Sequence, residues 1–76
     1  MTNFEKLAGV ISEYTELDVS EINEETNLRS DLGIDSYELI NLECEIEKEF
    51  GIKVADRDIA NIATVKDVLD YVASQQ

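Results

Sequence analysis

Apolar residues recur in this chain at spacings of three and four over three stretches, separated by regions where the rhythm breaks. Phe4, Leu7, Ala8, Ile11 and Tyr14 form the first set, the spacing that presents one stripe of a helix to a core. Thr2 and Glu5 stand three apart at its start, as in a capping box. The pattern predicts a helix over about residues 3–14.

From Thr15 to Asp35 the period lapses, although Leu17, Val19, Ile22, Leu28, Leu32 and Ile34 recur among polar residues. This reads as a long loop pinned by apolar anchors, with a single helical turn over Ser20–Asn23. Loops longer than about 12–15 residues in small domains are usually functional or disordered, and the anchors argue for function.

A second helix is predicted to start at Asp35-Ser36, where Asp35 and Glu38 repeat the capping-box spacing, and to run to Phe50 before Gly51 stops it. Leu39, Leu42, Ile46 and Phe50 make its core stripe. Tyr37, Ile40 and Cys44 form a second apolar stripe on another face, with Glu38, Glu45 and Glu49 clustered opposite it. An apolar strip rimmed by acids has the form of a partner-docking surface.

Ile52 and Val54 then read as a short extended anchor, followed by a brief third helix capped by Asp56 and carrying Ile59 and Ile62. A last helix begins after Thr64, with Val65, Val68, Leu69 and Val72 in helical register and Asp67 three residues past the cap. The expected class is all-α: a small four-helix bundle of three longer helices and one short one, with a long loop between the first two. No proline, repeat or low-complexity stretch divides residues 1–76, which read as a single domain.

Composition narrows the function. A chain of 76 residues buries only about 60% of the surface its unfolded form exposes, which favours binding or carrying over a deep catalytic cleft. Eighteen acidic against six basic residues give a net charge of -12, a field that repels nucleic acid and anionic membranes and attracts basic protein surfaces. Such a charge suits a monomer. The one cysteine, Cys44, allows no internal disulfide and suits a reducing compartment, so the cytoplasm is expected. No apolar run reaches membrane-spanning length, and Met1 to Lys6 lacks the features of a signal peptide. Without histidine, neither nitrogen and sulfur metal sites nor histidine acid–base chemistry can be assembled. Asp31 and Asp35 lack the residue order of a calcium loop, leaving only weak, screening-type divalent binding to expect. Cys44 reads as a small hydrophobe on the docking stripe.

Ser36 is the principal candidate residue. At a helix N-terminus, free N–H groups and the helix dipole favour a phosphate carried on its oxygen, although a serine there is most often an ordinary cap. With no histidine as general base and no Gly-x-Ser-x-Gly elbow, it is not placed as a hydrolytic nucleophile.

The run Asp31-Leu32-Gly33-Ile34-Asp35-Ser36, followed by Leu39, Leu42, Glu47, Glu49 and Phe50, resembles the prosthetic-group attachment segment of acyl carrier proteins. The resemblance extends over nearly the whole chain, through Ile22–Leu28 in the first loop and Thr64-Val65 with Asp70-Tyr71-Val72 in the last helix. It implies the same helical bundle and no catalytic residues. Ser36 would receive 4′-phosphopantetheine from a phosphopantetheinyl transferase, with Asp35 assisting. The arm's thiol would hold cargo as a thioester for acyltransferases, ligases or synthases with basic docking surfaces. The docking surface it implies comprises Tyr37, Glu38, Ile40, Asn41, Cys44, Glu47, Lys48 and Asp56, with Glu43 and Glu49 adding to the field. The acyl pocket would be formed by Leu39, Ile46, Ile59, Ile62 and Val68. The chain departs from the family pattern at Tyr37, usually leucine, at Asn41 and Lys48, often acidic, and at Glu43, usually aliphatic. The wheel sets Glu43 at the edge of the core stripe beside Ser36, its carboxylate expected to reach water, with narrowing of the pocket mouth as the alternative. The pathway implied is fatty-acid, polyketide or related biosynthesis. Two other readings remain open: an aminoacyl or peptidyl carrier, and an unmodified acidic interaction module.

Overall fold

Three of the four helices begin at a side chain that satisfies their free N–H groups. In the computed structural model, which describes residues 1–76, the Thr2 hydroxyl accepts the Glu5 N–H at 3.1 Å and the Glu5 carboxylate accepts the Thr2 N–H at 2.8 Å. Helix α1 (Asn3–Thr15) follows and ends at Glu16, which takes a left-handed φ of 65°. Asp35 and Glu38 form the same reciprocal box at the start of α2 (Ser36–Phe50), and Thr64 and Asp67 form it at the start of α4 (Val65–Gln75). Gly51 ends α2 with a φ of 65°, a conformation that costs glycine least.

The helical turn in the first loop forms earlier than the sequence predicts, over Val19–Glu21, because Asp18 caps it and Glu21 closes the box. That turn leaves Val19 50% exposed, so it is not an anchor. Ile22, Leu28 and Ile34 are buried, and Leu17 and Leu32 half-buried. The loop is also tied to the start of α4 by backbone bonds: Leu28 N–H to the Ala63 carbonyl at 2.8 Å, Val65 N–H to Thr26 at 3.0 Å, and Lys66 N–H to Glu24 at 2.9 Å.

Helix α3 (Asp56–Ile59) differs from the expectation at both ends. Ala55, not Asp56, stands at its N-cap, and no side chain caps it. The reason lies upstream: Val54 N–H is held by the Glu47 carboxylate at 2.7 Å and Ala55 N–H lies 3.4 Å from the Tyr71 hydroxyl, so the chain enters the turn one residue early. Ile62 consequently falls outside the helix, though it stays half-buried against the core.

Helix α1 packs against α2 and α4. Leu7, Ile11, Leu28, Leu42, Val65 and Val72 are the largest fully buried side chains, each worth about 1.5–3 kcal/mol of burial. On α2 the predicted stripe faces inward, with Leu39, Leu42 and Ile46 buried and Phe50 half-buried. No helix is long and apolar enough to cross a membrane.

Candidate functional site

The segment before α2 is a closed turn built by one asparagine. The Asn27 side-chain oxygen accepts the N–H groups of Arg29 and Ser30, both at 2.9 Å, while its own N–H is held by the Asp31 carboxylate at 2.8 Å. Gly33 adopts a φ of 69°, which returns the chain so that the Ile34 N–H reaches the Leu28 carbonyl at 3.1 Å. Ile34 is buried, and the next two residues emerge into solvent. Asp31 thus serves the turn, and no group of three or more acids and cysteines is arranged to hold a metal ion.

Ser36 is exposed as the first residue of α2. The hydrogen bonds around it belong to its neighbours: Asp35 Oδ1 accepts the Glu38 N–H at 2.8 Å and Glu38 Oε1 accepts the Asp35 N–H at 3.3 Å. The Tyr14 hydroxyl donates to the Glu38 carbonyl at 3.1 Å, tying this end of α2 to α1. An exposed hydroxyl on the first turn of a helix fits a phosphodiester, since its negative charge lies at the positive end of the dipole.

Tyr37 is 74% and Ile40 51% exposed, and Asn41, Cys44, Lys48 and Asp56 are exposed as well. Lys48 lies 3.7 Å from Glu45 on the same helix. Glu38 and Glu47 are only half-exposed. The Glu38 carboxylate closes the cap, and Glu47 accepts the Val54 N–H, a bond that holds its carboxyl below the ordinary range.

The five residues expected to form a pocket do come together. Leu39, Ile46, Ile59, Ile62 and Val68 line an apolar cavity of about 20 Å³ between α2, α3 and α4, room for about one water. Glu43 also lines it, with its side chain largely covered: the residue is only 9% exposed, yet no carboxylate oxygen is buried without a partner. The segments around α3 and α4 close over that side of α2. Burial pushes its carboxyl up to about 7, aided by a hydrogen bond to Glu47 and by repulsion from Glu47 and Asp56, with Lys53 acting in the opposite direction.

A family model described as "Phosphopantetheine attachment site" matches residues 5–72. An acyl carrier protein of Thermotoga maritima is 44% identical over 91% of this chain and 85% of its own length. Among solved structures, a Mycobacterium tuberculosis chain assigned as an acyl carrier protein superposes with a TM-score of 0.86 at 38% identity, over 93% of this chain and 95% of that one. The acyl carrier protein of Enterococcus faecalis superposes with a TM-score of 0.81 at 30% identity, over 96% and 92%. The chain belongs to the acyl carrier protein family, whose members are carriers rather than enzymes and whose prosthetic group is phosphopantetheine.

Proposed function

We propose that Ser36 is the attachment residue and that residues 1–76 work as a carrier domain for acyl intermediates in fatty-acid, polyketide or related biosynthesis. The observation that supports this most directly is the exposed Ser36 hydroxyl on the capped first turn of α2, inside the span matched by the family model. When bound, 4′-phosphopantetheine supplies a thiol that holds cargo as a thioester on a flexible tether, at high effective concentration for each docking enzyme. The chain's own residues position that tether. The Asn27 turn and the Asp35–Glu38 cap fix where Ser36 stands, and the first-turn N–H groups favour the phosphate charge.

Asp35 assists the phosphopantetheinyl transferase. Tyr37 and Ile40 offer the apolar part of the docking surface, with Asn41, Cys44, Lys48 and Asp56 around them, and the net charge of -12 draws in acyltransferases, ligases or synthases with basic faces. The protein acts as a cytoplasmic monomer, and Leu39, Ile46, Ile59, Ile62 and Val68 shelter the acyl chain when the cavity opens.

Intact mass before and after incubation with coenzyme A and a broad-specificity phosphopantetheinyl transferase tests the proposal. One added phosphopantetheine, absent in Ser36→Ala, is the expected result. A folded protein that takes no arm while a known carrier is modified alongside it would overturn the reading in favour of an unmodified interaction module.

A further inference from the structure

Glu38, Glu43, Glu45, Glu47 and Glu49 all lie off the outward arc of α2, which Tyr37, Ile40, Asn41, Cys44 and Lys48 span over roughly 100° of the helical wheel. Those five residues are exposed, and together they make a lane without negative charge on a chain whose net charge is -12. The lane is polarised along its length. At the arm end Asp35 and Glu38 flank Ser36. Lys48 stands about 16 Å further along the helix than Tyr37. Past it the lane opens into a shallow groove lined by Cys44, Glu47, Lys48, Gly51, Ile52 and Lys53. The one carboxylate of that groove, Glu47, accepts the Val54 N–H at 2.7 Å. Lys53 forms no ion pair and acts on Glu43 and Glu47 only at longer range. Lys48 has only the exposed contact with Glu45 at 3.7 Å, a kind that holds little. Both ammonium groups are therefore open to a partner, beside the apolar surface of Ile52 and Cys44. Lys48 also suits the dipole at the end of α2, whereas Lys53 lies outside the helix and has no such role.

We propose that this face selects partner enzymes carrying a carboxylate opposite Lys48 and Lys53, about 16 Å from the basic group that meets Asp35 and Glu38, over partners whose docking face is basic throughout. The proposal rests on the carrier reading of Ser36 and names the chemistry of the partner that this carrier accepts. A uniformly basic face sets like charges against both lysines, and such contacts in an interface are costly enough to reject a wrong partner. A carboxylate at that end pairs with two ammonium groups and fixes the direction in which the partner lies along α2, while Tyr37 and Ile40 supply the apolar contact between the two charged ends.

The probes are two helical peptides that share arginines at one end and leucine and phenylalanine at the centre, the other end carrying a glutamate pair in the first and a glutamine pair in the second. Amide NMR titrations at low salt give their dissociation constants for wild type, Lys48→Gln/Lys53→Gln and Lys6→Gln/Lys66→Gln. The last variant removes the same charge from α1 and α4, away from the groove. Wild type is expected to bind the glutamate-ended peptide about fivefold more tightly, the ratio that one or two exposed ion pairs produce, although the net charge of -12 favours the other. Lys48→Gln/Lys53→Gln is expected to lose or reverse the preference, and Lys6→Gln/Lys66→Gln to keep it. Equal or tighter binding of the glutamine-ended peptide by wild type, binding of neither peptide, a preference that survives in Lys48→Gln/Lys53→Gln, or its equal loss in both double variants overturns the proposal and leaves the carrier reading standing. Failure of Ser36 to take the arm, read by intact mass, overturns both.

Discussion

Between α1 and α2 the chain is held from within and from outside. Ile22, Thr26, Leu28 and Ile34 are buried, Asn27 closes the turn with its side chain, and three backbone bonds join residues 24–28 to residues 63–66. Between α2 and α4 no residue from Gly51 to Thr64 is buried, and the four-residue α3 has no side-chain cap. What holds that segment is mainly a few side-chain contacts, such as the Tyr71 hydroxyl, 3.1 Å from an Asp58 carboxylate oxygen and 3.3 Å from the Lys53 carbonyl. Few buried contacts and little capping mark segments that open at low cost. The contrast places a firm mount under Ser36 and a loose wall over the cavity, which is what a carrier needs if its arm is to be fixed at one end and its cargo admitted at the other.

The largest expected effect breaks the firm side. Leu28, 1% exposed, should cost about 3 kcal/mol when changed to Ala, whereas Ile59→Ala in the half-buried wall should cost about 1 kcal/mol. Urea unfolding of both variants measures the difference, and equal losses would remove the distinction between the two regions.

Glu43 sharpens the comparison from the other side of the cavity. Its carboxyl is raised from 4.5 to about 7 in the folded protein, so its stabilising contribution is complete below about pH 4.5 and is lost as pH rises through about 7. Glu43→Val removes that loss and should stabilise the protein at pH 8 by about 1–3 kcal/mol. At pH 4.5 the gain should shrink, because the wild-type carboxyl is then protonated in the folded state and no charge is left there to desolvate. Asp67 runs in the opposite sense: the Thr64 and Ala63 N–H groups hold its carboxyl low, so its contribution is present above the unfolded value and is lost as acidity passes the folded one. Thermal unfolding of wild type and Glu43→Val across pH 4.5–8 reads Glu43, and the loss from Asp67 shows only when the series is carried below pH 3.8.

The smallest effect tightens the loose wall. Ala55→Ser supplies the missing cap of α3 and should add about 0.5–1 kcal/mol. Amide hydrogen exchange should slow at Ile59 and leave Leu28 unchanged. Slowing at both positions would mean that the two regions open together.

How much of this was legible in the sequence depended on distance along the chain. The boxes at Thr2, Asp35 and Thr64 were readable because each joins residues three apart, and Gly51 announced the end of α2 for the same local reason. The turn at Asp18 and the cap of α3 were misplaced by a residue or so, because Asp56 invited the role that the contacts of Val54 and Ala55 withheld from it. Val19 looked like an anchor by its chemistry and is half-exposed in the fold. Spacing placed Leu39, Ile46 and Val68 on inward faces, and their meeting with Ile59 and Ile62 around one cavity is a matter of how α3 and α4 close.

The sequence by itself determined the helices, their capped starts and the exposed serine, since propensity, spacing and hydrogen bonds within four residues act before any tertiary contact exists. Only the tertiary structure decided that residues 24–28 would join the start of α4 and that Glu43, on the margin of its stripe, would have its side chain largely covered. Burial is a property of what packs against a residue, and the groups that cover Glu43 come from beyond its own helix, so no local rule could assign its environment or the shift of its proton affinity.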